Sequence, residues 1–194
     1  MPKLSRDDLM SLEVYSEQRD RLRAEVIAHK RARRVALGEH ANLYFEDEFT
    51  IRYQIQEMLR VERIFEAAGI QQELDAYNPL IPDGSNWKAT FMIEYPDSEL
   101  RKAALAGLVN VEHAVWVRVG RHPQVYAVAD EDLERSTDAK TSAVHFMRFE
   151  LTADMVAGAK AGSPIAIGCD HDNLRVVVDP IDDAAHHTLI QDLD

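Results

Sequence analysis

The sequence predicts an α+β fold in which N-terminal helices and a long central helix pack on a largely antiparallel or mixed β-sheet. Three observations carry this. Hairpin-like strand pairs outnumber strand–helix–strand units, which disfavours a doubly wound parallel sheet. The stretch TIRYQIQEMLRVERIF, residues 50–65, repeats its apolar residues with a helical period. TSAVHFMRFEL, residues 141–151, alternates with the period of a strand. A chain of 194 residues is long enough for one well-buried core and short for two, so a single domain over 1–194 is expected.

The elements follow in order. LSRDDLMSLEVYSEQRDRLRAEVIAHKRARRV reads as one or two helices ending near Arg33, with Ser5 as a cap and Leu9, Leu12, Leu22, Val26 and Ile27 as an interrupted apolar stripe. RRVALGEHANLYF is a hairpin turning at GEH. The long helix spans Phe49 to Ala68 and is stopped by Gly69. IQQELDAY adds a short helix, and NPLIPDGSN is a turn-rich loop. KATFMIEY is a strand, PDSELRKAALAGL a helix started by Pro96 and Asp97, and AVWVRVG with VYAVAD a strand pair across RHPQ. After the 141–151 strand, TADMVAGAKAG is a helix capped by Thr152 and closed by Gly162, and PIAIGC with LRVVVD forms a last hairpin.

Composition narrows the function classes. The net charge of -12 argues against non-specific nucleic-acid binding. Charge is unevenly placed: residues 1–34, a basic helical leader, hold nine Lys/Arg against six Asp/Glu, and the remainder holds thirteen against twenty-eight. The leader is therefore expected to dock on acidic surface of its own chain or of a second protomer, which would make a homo-oligomer. Residues 172–194 read as an acidic C-terminal segment. No apolar run has the length of a signal peptide or a membrane span, and a cytoplasmic location is expected. A single cysteine, Cys169, excludes an internal disulfide and a CxxC redox pair. No phosphate-binding glycine loop, GxSxG or HExxH pattern occurs.

The sharpest anomaly is Glu62. On a helical wheel it falls among Ile51, Ile55, Met58, Leu59 and Phe65, where a carboxylate would be shielded from water. An unpaired buried carboxylate costs several kcal/mol, so Glu62 needs a partner. His145 and Arg148, on opposite faces of the 141–151 strand, are the natural ones. Glu57 lies on the other, more polar face of the helix with Tyr53, Arg60 and Ile64. A structural pair and a metal or acid–base site both remain open. Tyr77, Asn78, Asp83, Ser85, Asn86 and Trp87 offer a ligand- or partner-binding loop, against the plainer reading of a rigid turn. Cys169 and His171 have ligand chemistry suited to a metal but no recognisable spacing. The basic run 29–34 is accounted for by a helix C-terminus.

Three blocks, FTIRYQIQEMLRVERIF, ELDAYNPLIPDGSNWKATFMIEYPD and DAKTSAVHFMRFEL, resemble an uncharacterised bacterial family, the domain of unknown function numbered 3501, over roughly residues 4–170. The final stretch with His186 and His187 is unmatched. The resemblance implies no established activity, cofactor or catalytic residue. It does imply a place near rubrerythrin-like proteins and iron–sulfur oxidoreductases, whose genes accompany family members. Two functions are thus expected to compete. One is a non-catalytic accessory protein docking on such a redox partner, in electron transfer or peroxide stress, through the Trp87 loop and acidic surface. The other is a small metal-binding protein or enzyme built on Glu62 and His145.

Overall fold

The computed structural model describes residues 3–194. β1 (Arg34–Ala36) and β2 (Ala41–Phe45) form the expected hairpin, with Gly38 at φ +90° in the turn, a conformation that favours glycine. β2 pairs with β3 (Asn86–Ile93), β3 with β7 (Val144–Glu150), and β7 with β6 (Val128–Ala129), in the order β1-β2-β3-β7-β6. A second sheet runs β5-β4-β8-β9, from β5 (Val125–Tyr126), β4 (Val115–Val119), β8 (Ile165–His171) and β9 (Leu174–Val178). All pairings within both sheets are antiparallel, and the fold is α+β. The VYAVAD strand divides between the sheets. Its Ala127 amide still donates to Val115 O at 2.9 Å before the chain crosses to β7. Six residues that alternate like one strand therefore edge two sheets.

Strand alternation places Leu43, Phe45, Trp87, Ala89, Phe91, Met147 and Phe149 in one core cluster with Val115, Val117, Val119, Ile165, Ile167 and Cys169 from the second sheet. Each large apolar side chain buried there contributes roughly 1.5–3 kcal/mol. α4 (Ser98–Gly107), capped by Asp97, lies between β3 and β4 in sequence, and α5 (Ala153–Lys160), capped by Thr152, adds Met155 and Ala159 to the core. The acidic C-terminal segment is not a loose tail. Asp182 caps α6 (Asp183–Ile190), whose Ala185 and Leu189 complete the same core. Two apolar positions four residues apart were too weak a stripe to stand out among acids and histidines.

α1 (Leu12–Arg31) fully buries only Tyr15 and Val26 and is held largely by polar contacts. Arg33, counted with the basic leader, is itself a core residue at 2 % exposure. Its guanidinium donates to Phe45 O at 3.0 Å, Glu46 O at 3.1 Å and Thr188 O at 3.3 Å, and pairs with Asp192, so it ties β2 to α6. α2 (Glu48–Val61) is capped by Asp47, which exchanges bonds with Thr50. Ile51, Ile55 and Leu59 of α2 pack with Leu4, Leu74 and Ile81 in a second cluster, against α1 and α3 (Ala67–Tyr77).

The long helix also ends earlier than its periodicity suggests. Glu62 is its C-cap, and Arg63 turns left-handed at φ +54°. Gly69, read as the stop, lies inside α3, where a Cβ would come within 2.7 Å of Ile64. The glycine there serves close packing. Among the described residues no helix is long and apolar enough to cross a membrane.

Candidate functional site

The early helix end changes the fate of Glu62. It is exposed, and Phe65, expected beside it, is 69 % exposed. Neither proposed partner meets it: His145 bonds Asp130 and Thr141, and Arg148 bonds Glu131 and Glu150. The Glu62–His145 site is therefore corrected to a different cluster around His145. Glu57, on the polar face, is a helix-to-helix anchor. It takes both oxygens to Arg19 at 2.8 and 2.9 Å and accepts from Tyr15 at 2.6 Å. The Arg19 hydrogen bond, working against burial and aided by Tyr15, holds its carboxyl at about 2.

His145 sits on the inner face of β7, fully buried, in the row of Met147 and Phe149. Its Nδ1 lies 2.6 Å from Asp130 Oδ2. Nε2 faces Thr141 Oγ1 at 2.8 Å and Ser142 O at 3.2 Å. Thr141 donates to Glu112 Oε2 at 3.1 Å, and Ser136 donates to Glu112 Oε1 at 2.5 Å. Glu112 comes from a 3-10 turn, Val111–His113, just before β4. Burial pushes its carboxyl up, but the Ser136 hydroxyl, its own amide, His145 and Thr141 outweigh that and leave it below the usual range. Glu112, Asp130 and His145 have donor atoms within 4.8 Å of one another, the chemistry of a divalent-metal site, and a metal there would have to replace these hydrogen bonds.

Asp130 joins this interior to the surface. It follows β6 at φ +53°, a left-handed conformation that aspartate tolerates better than most residues. While Oδ2 takes His145, Oδ1 accepts from the Phe146 amide at 3.1 Å and from Arg135 at 3.2 Å. The Arg135 guanidinium lies 4.7 Å from the centre of the Phe146 ring, a cation–π geometry. Phe146 is on the outer face of β7, so Asp130 reaches around the sheet edge from His145 within to Arg135 without.

Outside, Arg135 and Phe146 line a cleft of about 420 Å³ with Tyr77, Lys88 and Arg148, closed by Asp75, Pro79 and Leu80 on one side and by Glu131 and Asp132 on the other. Lys88 and Arg148 are direct cross-strand partners. Lys88 Nζ donates to Pro79 O at 2.5 Å. Burial draws its ammonium below the ordinary lysine range, with Asp83 opposing. Arg148 engages Glu131 at 2.9 Å through both Nε and Nη2 and Glu150 at 2.6 Å.

Of the expected binding loop, only Tyr77 lines this cleft. Asn78 clamps the N-terminal segment at Leu4, accepting from Leu4 N at 2.8 Å and donating to Leu4 O at 2.9 Å. Asp83 and Ser85 bond each other at 3.0 Å, and buried Asn86 donates to Glu150 at 3.4 Å. Trp87 offers no ring to a partner; it is a core residue whose indole donates to Leu189 O at 2.9 Å. Cys169 is buried, with its thiol pushed up by burial, and His171 bonds Val109 O at 3.0 Å. Asp130 and Glu112 were missed because the chain segments bearing them are remote from β7 in sequence. Lys88 had a signal, since it alternates with Trp87 and must face the other side of β3.

The chain matches the model of the family described as protein of unknown function (DUF3501) over residues 3–193, which takes in the final stretch with His186 and His187. It is similar to a crystallised protein of unknown function from Burkholderia pseudomallei, at 55% identity over 100% of both chains and a TM-score of 0.94. No curated protein matches.

Proposed function

The chain belongs to the family DUF3501, proteins of unknown function, and we propose that it is a binding protein that holds a small anionic ligand in the cleft between the outer face of β3–β7 and α3. One observation carries this reading. In a protein of net charge -12, Lys88, Arg135 and Arg148 converge from two strands and a loop on a single concavity. Its volume falls in the range of roughly 300–1,000 Å³ in which small-molecule sites occur. Two guanidinium forks suit planar anions, and Tyr77 and Phe146 supply apolar walls.

The reading is binding rather than catalysis because the histidine that meets both a carboxylate and a hydroxyl is sealed away: His145 and Thr141 are 0% and 1% exposed. A non-catalytic role beside a rubrerythrin-like or iron–sulfur partner is compatible with a binding cleft and is supported by the family resemblance alone. A second reading, a divalent metal on Glu112, Asp130 and His145, is favoured by their mutual approach. Metal analysis of untagged protein tests it, with stoichiometric iron, zinc or manganese as its support.

The cleft reading is tested by thermal shift with glutarate, acetate and inorganic phosphate against chloride at matched ionic strength. At least one of the three should raise the melting temperature of the wild type and leave Lys88→Gln/Arg148→Gln unmoved. No shift beyond chloride, or an equal shift in the variant, refutes it.

A further inference from the structure

Three carboxylates line the cleft, Asp75, Glu131 and Asp132, and the last two are paired with its arginines. Glu131 meets Arg148 through two parallel hydrogen bonds of 2.9 Å, and Asp132 meets Arg135 through two of 2.5 and 2.6 Å. These are the two-point contacts by which a guanidinium recognises a planar carboxylate. Both acids come from one short loop, and both are half exposed, at 53% and 51%, against 8% for Asp130.

Resting on the cleft reading, we propose that the ligand is a small dicarboxylate, and that Glu131 and Asp132 are its built-in stand-ins, which it displaces on binding. Exposed ion pairs are weak, so the two loop carboxylates can be exchanged for those of a ligand. The cations do not depend on them for position. Arg135 stays anchored to Asp130 and over the Phe146 ring, and Arg148 stays bonded to Glu150 at 2.6 Å. Both forks remain aimed into the cleft when the loop acids leave, which lowers the ordering cost of the replacement. Two planar forks select paired carboxylates, and Lys88, a compact charge with freely rotating donors, adds a third contact.

Calorimetric titration with glutarate tests this on the full chain. Glu131→Gln/Asp132→Asn should bind about tenfold more tightly than the wild type, a difference of about 1.4 kcal/mol. Adding Arg148→Gln should abolish that binding. Glu134→Gln/Asp138→Asn removes the same charge from the same loop outside the cleft lining and should leave the affinity unchanged. Equal affinity in the wild type and Glu131→Gln/Asp132→Asn overturns the displacement while the cleft stands as a binding site. Equal tightening in the Glu134/Asp138 variant also overturns it, since net charge alone would then explain the gain. Inorganic phosphate binding as tightly as glutarate overturns the dicarboxylate class. Absence of glutarate binding in every variant, with acetate and phosphate equally silent, overturns the cleft reading itself.

Discussion

Asp130 and Glu131 are consecutive, and each pairs with a cation borne by β7 or lying against it, yet they belong to two different regions. Asp130 is part of the interior cluster with His145, Glu112 and Thr141, in which the carboxylates and the imidazole are bonded and withdrawn from water. Glu131 belongs to the cleft on the opposite face of the same sheet, where its pair with Arg148 is open to solvent. The difference teaches that burial, and not the identity of the pair, separates what holds the fold from what a ligand can replace. A buried partner cannot be removed without orphaning a charge, whereas an exposed one is exchanged with water at little cost.

The largest effect should come from the interior. His145→Leu takes from Asp130 its buried imidazole partner and removes the ring nitrogen 3.8 Å from Glu112, and should lower stability by about 3–5 kcal/mol in chemical denaturation. A loss below about 1 kcal/mol would place the interior cluster with the cleft.

Glu57 lies between the two extremes, and its effect should be intermediate. Its folded carboxyl is held at about 2, below the ordinary 4.5, so the unfolded chain binds the proton more readily. Its stabilisation is therefore present above the unfolded value and is lost as pH falls through about 2. Unfolding midpoints of Glu57→Gln and wild type should differ most near neutrality and converge in acid. A constant difference down to about pH 2 would remove the carboxylate from the explanation.

Glu131→Gln should change stability by less than about 1 kcal/mol, as an exposed pair does. A larger loss would mean that the loop acids hold the fold and cannot serve as exchangeable occupants. The smallest effect is assigned to Glu62→Ala, within about 0.5 kcal/mol, because its carboxylate is in water.

Much of the fold was legible for local reasons. Alternation in TSAVHFMRFEL placed His145, Met147 and Phe149 on one buried face, and caps at Asp97 and Thr152 marked their helices. The end of α2 was not legible, because a left-handed Arg63 carries no sequence mark, while Gly69, which looked like a stop, relieves a contact with Ile64. That single turn moved Glu62 from the imagined core into solvent. Of the site, His145 and Arg148 stood out as polar residues in an apolar strand. Their partners Asp130, Glu112 and Glu131 did not, since pairing across a sheet edge is decided by where the chain crosses at Ala127.

Amide chemical shifts of the full chain during a glutarate titration separate the two regions most directly. The expected perturbations gather at residues 75–80, Lys88, 131–135 and 146–148, around the cleft. The amides of β4 and β8, across the core, should stay in place. Shifts confined to β4 and β8, or saturating shifts scattered away from Lys88 and Arg148, would contradict the assignment of the cleft as the binding face.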